Sequence, residues 1–162
     1  MPLSDSSPIT LRPVSADDEE FLYVVYAGSR SEELAHLNWD EPQFEAFLRM
    51  QFTAQSQHYR QYYPQARHEI IMLDGHPVGR LYVNRSEREM RILDISILAA
   101  HRRCGIGAAL LKALLAEAEA ASQPVTVYVE SFNPSRSIFE RLGFAVVEEH
   151  GVHHLMQWRP SK

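Results

Sequence analysis

The chain has 162 residues and a formal charge of −5, from 16 Lys plus Arg against 21 Asp plus Glu. That length predicts one domain over 1–162, able to bury roughly 68–70% of its unfolded surface without metal or disulfide staples. Apolar content of 45% describes a folded globular chain, the acidic balance argues against gripping a phosphate backbone, and no run of about 18 apolar residues reads as a membrane span.

Residues 4–8 form a polar leader without the basic-then-apolar order of a secretory signal. A strand over 9–12 ends at Pro13. Ser15 is placed to cap a helix whose first turn holds Asp17, Asp18 and Glu19, where the helix dipole favours acids. Phe21, Leu22 and Val25 follow at helical spacing, and Gly28 marks the stop. Residues 29–41 read as a loop or broken turn. Asp40 caps a second helix that carries Phe44, Phe47, Leu48, Met50 and Phe52 to about Tyr63. The period then changes to two. Strands over 68–73 and 78–83 flank Asp74-Gly75, a hairpin signal. A polar turn at Glu87 and Arg88 leads to a strand over 91–98 with Ile92, Leu93, Ile95, Ile97 and Leu98. A loop over 99–104 enters an Ala/Leu-rich helix over 107–121, and a β-branched strand follows over 125–130. Asn133-Pro134 opens a short helix to Leu142, with Asn133 as its cap and Gly143 as its stop. Strands over 145–149 and 153–158 close the chain as a hairpin around Gly151. The order βααβββαβαββ is mixed α/β, antiparallel strands flanking one βαβ unit, with a core over about 9–159.

The most informative stretch is 94–111, DISILAAHRRCGIGAALL. A buried strand runs into a basic, glycine-containing loop and then into a helix with no side-chain cap. Helix N-termini leave backbone N–H groups unpaired and carry about half a positive charge, which suits phosphate. Gly105 and Gly107 admit a bulky anion, or equally serve a tight strand-to-helix turn. No GxxxxGK[ST] run exists, and a GxGxxG fingerprint meets Leu110 at its third glycine. The single cysteine, Cys104, reads as a small exposed loop residue, and with no export signal it points to a reducing cytoplasm. Among eight histidines, His150, His153 and His154 cluster. Read as one strand, they put His150 and His154 on one face and His153 on the other, an exposed strand edge and not a metal site.

Arg102-x-x-Gly105-x-Gly107 resembles the Arg/Gln-x-x-Gly-x-Gly/Ala signature of the GNAT superfamily, the acyl-CoA-dependent N-acetyltransferases. Ile95-Ser96-Ile97 resembles the strand before that loop. Residues 133–144, NPSRSIFERLGF, resemble the second motif, an Asn ten residues before a Gly-Phe pair. Ile9-Thr10-Leu11-Arg12-Pro13 followed by Asp17 resembles the opening. The likeness spans nearly the whole chain and is weakest over 29–67. It implies a central splayed, mostly antiparallel sheet flanked by helices. It also implies acetyl transfer from acetyl-CoA, as co-substrate, to a primary amine by direct attack in a ternary complex, with no metal.

The resemblance further implies residue roles. The backbone amides of Arg103, Cys104, Gly105, Ile106, Gly107 and Ala108 would cradle the CoA pyrophosphate, with Arg102 adding charge. Ile95 and Ile97 would pair with the pantetheine arm, the Ile95 N–H facing the thioester oxygen. Asn133 would hydrogen-bond the pantetheine or hold the splayed strands. Phe139 stands where the family often has a proton-donating tyrosine, and it has no proton to give. Candidate bases by position are Asp94, Tyr128 and Glu130, with Glu130 favoured; a water chain is the alternative. Asp94 can instead balance Arg91 or Arg80 across the sheet. Trp39, Tyr59, Tyr62 and Tyr63, with Glu32, Glu33 and Asp40, are candidates for an acceptor pocket suited to a cationic amine, or else a helix core face with solvated charges. The expected partner is a small-molecule or peptide amine, with no nucleic acid and no membrane, and a homodimer is left open. The rivals are a non-catalytic acyl-CoA-binding module and a nucleotide-dependent oxidoreductase.

Overall fold

Among the described residues, seven strands and four α-helices follow the expected order: β1 (Ile9–Pro13), α1 (Glu19–Leu34), α2 (Glu41–Tyr62), β2 (Arg67–Leu73), β3 (His76–Arg85), β4 (Met90–Ile97), α3 (Ile106–Ala121), β5 (Val125–Glu130), α4 (Arg136–Arg141), β6 (Ala145–His150) and β7 (His153–Trp158). They belong to a computed structural model that describes residues 9–34, 40–102, 104–131 and 133–161. The strands form one sheet in the order β1-β2-β3-β4-β5-β7-β6. Every neighbouring pair is antiparallel except β4 with β5. The β2–β3 turn holds Asp74 at φ 52° and Gly75 at φ 80°, the two left-handed residues a tight hairpin needs.

Each face of the sheet carries a core. On one side α3 and α4 cover Ile71, Leu81, Val83, Ile92 and Val127 with Leu110, Leu114 and Phe139. On the other, α1 and α2 bring Leu22, Tyr26, Leu48 and Phe52 against Ile70. Asp40 caps α2 as expected, its Oδ1 accepting the Gln43 N–H at 2.8 Å. Ser15 caps a 3-10 turn at Ala16–Asp18 that precedes α1. Asp18 accepts from both terminal guanidinium nitrogens of Arg12 at 2.8 Å and from the Ser15 N–H at 2.8 Å. The Arg12 hydrogen bonds outweigh the opposing effect of burial and hold the Asp18 carboxyl well below the usual carboxylate range.

Four expectations need correction. The first helix does not stop at Gly28 but continues to Leu34. Gly28 lacks a left-handed φ, and the penalty of a mid-helix glycine, about 1 kcal/mol, is offset by the buried face of Leu22, Tyr23 and Tyr26. Residues 29–34 are therefore helical, not loop, and 35–39 lie outside the described residues. The fourth helix starts at Arg136, and Ser135, not Asn133, stands at its cap position. The Asn133 Oδ1 instead accepts from the Ser135 N–H at 2.9 Å and the Ser135 hydroxyl at 2.8 Å, the local turn that asparagine favours over helix. Finally, the three histidines do not share a strand. A turn at 151–152 pairs His150 with His153 and Glu149 with His154, so His150 and His153 stand opposite each other.

Candidate active site

The site begins with an irregularity in β4. Val83 pairs with Ile92 and Tyr82 with Asp94, so Leu93 is an extra residue without a cross-strand partner. Such a bulge reverses which face each later residue takes. Met90 and Ile92 belong to the α3-side core, and after the bulge it is Ile95 and Ile97 that pack there. Asp94 and Ser96 are turned to the α1/α2 face. Among the described residues, the parallel pairing of β4 with β5 ends at Ile92↔Val127. Beyond it β5 pairs with β7 through Glu130, and β4 stays with β3 through Ile97. A cleft therefore opens between the C-terminal ends of β4 and β5.

Backbone alternation sets what lines this cleft. The Leu98 N–H donates to the Val78 carbonyl at 2.8 Å. Successive N–H groups of a strand alternate sides, so those of Ile95 and Ile97 point away from β3, into the cleft. The Ile97 carbonyl accepts from Arg102 Nε at 2.9 Å, which ties the following loop to the strand end. On the far side Gly79 presses against β4: a Cβ there would lie 2.2 Å from the Ser96 carbonyl oxygen, so no larger residue fits.

At the same end of β4 stands the N-terminus of α3. Its cap, Gly105, has φ 82°, a left-handed conformation that favours glycine. Among the described residues no side chain caps this end, and no acid lies in its first turn. The N–H groups of Ile106, Gly107 and Ala108 have no partner within the helix by its geometry, and a Cβ on Gly107 would meet nothing within 4 Å. Open space over unspent donors fits a phosphate-bearing ligand. Cys104 is half-buried, its Sγ 3.6 Å from the Arg102 carbonyl. Arg103, the remaining member of the expected cradle, lies outside the described residues.

All three candidate bases sit on the α1/α2 face of the cleft, each engaged by an arginine. Asp94 Oδ2 accepts from Arg80 Nε at 2.6 Å, and both its oxygens accept from the Ser96 hydroxyl at 3.0 and 2.9 Å. Arg80, only 2% exposed, also donates to Gln55 of α2 at 2.7 Å. Of the two partners expected for Asp94, the structure selects Arg80. Arg91 turns elsewhere, to the Tyr63 hydroxyl at 3.1 Å and the Thr126 hydroxyl at 3.1 Å. Its guanidinium lies 5.3 Å over the ring of Tyr128, which is 46% exposed. Glu130 ends β5 with a 3.3 Å ion pair to Arg30 of α1. Asn133 follows three residues later, its Oδ1 engaged in the turn described above. Phe139 is buried among the α3-side core, edge-on to Phe144 at 5.2 Å. Its ring is thus a packing element.

The aromatic residues of α2 divide. Tyr59 reaches the sheet and donates to the Leu93 carbonyl at 2.9 Å, Tyr63 meets Arg91, and Tyr62 remains 62% exposed. Trp39 lies outside the described residues, as do the side chains of Glu32 and Glu33. Sequence reasoning missed Gln55, Gly79 and Arg30. For Gln55 a signal existed: Leu48, Phe52, Gln55, Tyr59 and Tyr63 recur at helical spacing, so a polar residue sits in a buried stripe. For Arg30 the expected helix stop hides its place one turn beyond Tyr26, over whose ring it lies at 5.3 Å.

Known proteins share this architecture. A family model described as an acetyltransferase (GNAT) domain matches residues 30–160. No curated protein matches the sequence. Among solved structures, the PaiA N-acetyltransferase of Thermoplasma acidophilum, in complex with coenzyme A, is similar at TM-score 0.71 and 19% identity, over 94% of this chain and 99% of that one. An acetyltransferase of Thermus thermophilus follows at TM-score 0.67 and 21% identity, over 93% and 96%. A GNAT family acetyltransferase of Elizabethkingia anophelis with acetyl-CoA bound gives TM-score 0.60 and 15% identity, over 93% and 97%. At these identities the likenesses carry the fold, the seven-stranded mixed sheet with flanking helices. No helix among the described residues is long and apolar enough to cross a membrane.

Proposed function

This chain belongs to the GNAT acetyltransferase family and is an acyl-CoA-dependent N-acetyltransferase; from that premise we propose that it moves the acetyl group of acetyl-CoA to a primary amine by direct attack, both substrates bound at once. The observation that carries this reading is the cleft between β4 and β5 beside the open, glycine-led N-terminus of α3. Two structural neighbours hold CoA or acetyl-CoA, which supports the same co-substrate here. A single domain with its core over about 9–159 does the work.

Each part of the cleft takes a role in this proposal. The amides of Cys104, Gly105, Ile106, Gly107 and Ala108, with that of Arg103, receive the pyrophosphate, and Arg102 adds charge while anchoring the loop. Ile95 and Ile97 offer backbone groups to the pantetheine arm, and Asn133 shapes the turn at the mouth of the cleft. The Ile95 N–H faces the thioester oxygen, where negative charge develops as the amine attacks; a fixed donor there lowers the barrier. The new C–N bond forms as the C–S bond breaks, the thiolate leaves, and the amine's proton goes to a base. We assign that base to Glu130, which Arg30 meets at a loose 3.3 Å. Asp94 is instead bound by Arg80 and Ser96 together and serves to hold the sheet. Tyr128 flanks the acceptor path. No side chain at Phe139 protonates the thiolate. A thiol with a pKa near 8–9 needs little help to leave, so deprotonating the amine sets the rate.

An acetyl-CoA-dependent screen of primary amines, followed by free thiol, tests the proposal. Steady thiol release with at least one amine is expected. If no amine turns over while acetyl-CoA still raises the melting temperature, a non-catalytic acyl-CoA-binding module is the better reading.

A further inference from the structure

The bulge in β4 creates the cleft, and one side chain is attached to it. Leu93 is the residue that falls out of register, and its carbonyl accepts the Tyr59 hydroxyl at 2.9 Å. The pairing of β4 with β5 ends at Ile92, the residue immediately before. The Tyr59 ring is itself fixed: it stands edge-on to Tyr82 at 5.0 Å, and Tyr82 stacks on His68 at 4.0 Å with 5° between the planes. Burial, reinforced by the nearby Asp94 charge, pushes the Tyr59 hydroxyl far above its ordinary range, so it remains a donor at any working pH.

We propose that Tyr59 is the positioning residue of this cleft: by donating to the Leu93 carbonyl it holds the extra residue of β4 in place, and with it the departure of β4 from β5. The consequence extends to both substrates. A one-residue slip in a strand exchanges its two faces. Were the bulge to move along β4 beyond Ile97, Asp94 and Ser96 would trade sides with Ile95 and Ile97, and the N–H groups now turned into the cleft would turn to β3. The Arg80–Asp94 pair pins the strand one residue later, but it acts on a side chain. Tyr59 is the contact to the backbone of the extra residue itself. It comes from α2, and its hydroxyl is committed to that carbonyl.

The inference rests on the acetyl-CoA reading only for its binding measurement, so the test uses two readouts. Tyr59→Phe keeps the ring and its contact with Tyr82 and deletes one hydrogen bond. In the full chain, amide hydrogen exchange within 94–97 at Asp94 and Ser96, whose N–H groups face β3, is expected to quicken by about three- to tenfold, the scale of one net hydrogen bond. CoA is expected to bind more weakly by a similar factor in calorimetry, with exchange in β2 unchanged. Phe52→Leu, a core change on the same helix, serves as the control; it should lower the melting temperature yet leave CoA affinity and the pattern over 94–97 as in wild type. Unchanged exchange over 94–97 in Tyr59→Phe, or a rise spread evenly over the sheet, overturns the proposal. Should wild type bind no CoA, the acetyl-CoA reading falls, and the exchange measurement alone decides the role of Tyr59.

Discussion

Gly107→Glu is expected to stabilise the protein while abolishing its co-substrate binding, a pair of opposite signs that few surface changes produce. Gly107 is the second residue of α3, and a Cβ there meets nothing within 4 Å, so the added side chain displaces no atom. Replacing a helical glycine with a better helix former gains about 0.5–1 kcal/mol. A glutamate in the first turn gains roughly 0.3–1 kcal/mol more from the helix dipole. Together these raise the melting temperature by about 2–8 °C, at about 2–4 °C per kcal/mol for a chain of this size. The same carboxylate occupies the space assigned to the pyrophosphate. Two like unit charges about 4 Å apart repel by about 4 kcal/mol at an effective dielectric of about 20, so CoA affinity should fall by at least about a hundredfold. Differential scanning calorimetry and CoA titration of the same preparation measure both quantities. CoA affinity within threefold of wild type would refute the phosphate site. A melting temperature lowered by more than about 5 °C would refute the open space above Gly107.

Three further outcomes follow from the buried groups. Asp94→Ala strands the Arg80 guanidinium, 2% exposed, and is expected to cost about 2–4 kcal/mol, toward the low end for a broken buried pair because Asp94 keeps 24% exposure. Arg80→Met should cost less, since the Asp94 carboxylate retains solvent and Ser96; the reverse order of melting temperatures would contradict this. Burial, aided by the Arg80 charge, lowers the His68 pKa from 6.5 to about 4. The unfolded chain therefore takes up a proton that the folded one refuses, and stability falls as pH drops from 6.5 toward 4, by at most about 1.4 kcal/mol per unit. His68→Phe should flatten that limb of a urea-denaturation series, and an unchanged slope would assign it elsewhere. Phe139→Tyr buries a hydroxyl in the core beside Phe144 and should cost about 1–3 kcal/mol. It should also raise turnover by less than about tenfold, short of the 10²–10⁴ of a missing general acid. A hundredfold gain with no loss of stability would place the ring at the leaving thiolate instead.

The parts of this molecule that follow from local chemistry are legible in its sequence. Asp74-Gly75 specifies its hairpin, Asp40 its helix, and Gly105 with Gly107 the donor-rich start of α3. What is not legible depends on partners distant in the chain. Gly28 reads as a stop because glycine disfavours helix, yet the apolar face of Leu22, Tyr23 and Tyr26 carries the helix past it. Arg30 consequently reads as a loop residue, although it meets Glu130 one hundred positions later. Asn133-Pro134 carries the signals of a helix cap, but Asn133 closes a turn first, and only the geometry distinguishes these two uses of the same side chain. The three histidines share a strand only if the turn signalled by Gly151 is ignored, since that turn separates His150 from His153 and His154.

The bulge is the instructive intermediate case: Leu93, Ile95 and Ile97 alternate regularly in the sequence, and only the burial along β4 shows the break. The core positions of β4 are Met90 and Ile92, then Ile95 and Ile97, even numbers changing to odd. A regular strand cannot bury both sets on one face, so an extra residue between them is required, and Leu93 or Asp94 must supply it. Asp94 keeps its place in the ladder, opposite Tyr82, where Arg80, two residues away on β3, reaches its carboxylate. The apolar Leu93 is then the residue that leaves the ladder, with its side chain half-buried. Its carbonyl needs a donor from outside the sheet, and the buried stripe of α2 ends in tyrosines. Burial and register together therefore locate the irregularity, and the stripe of α2 narrows its support to the aromatic end of one helix. Choosing Tyr59 over Tyr63 requires the packing of α2 on the sheet, because the two lie one turn apart and both present a hydroxyl to β4, one to the Leu93 carbonyl and one to Arg91.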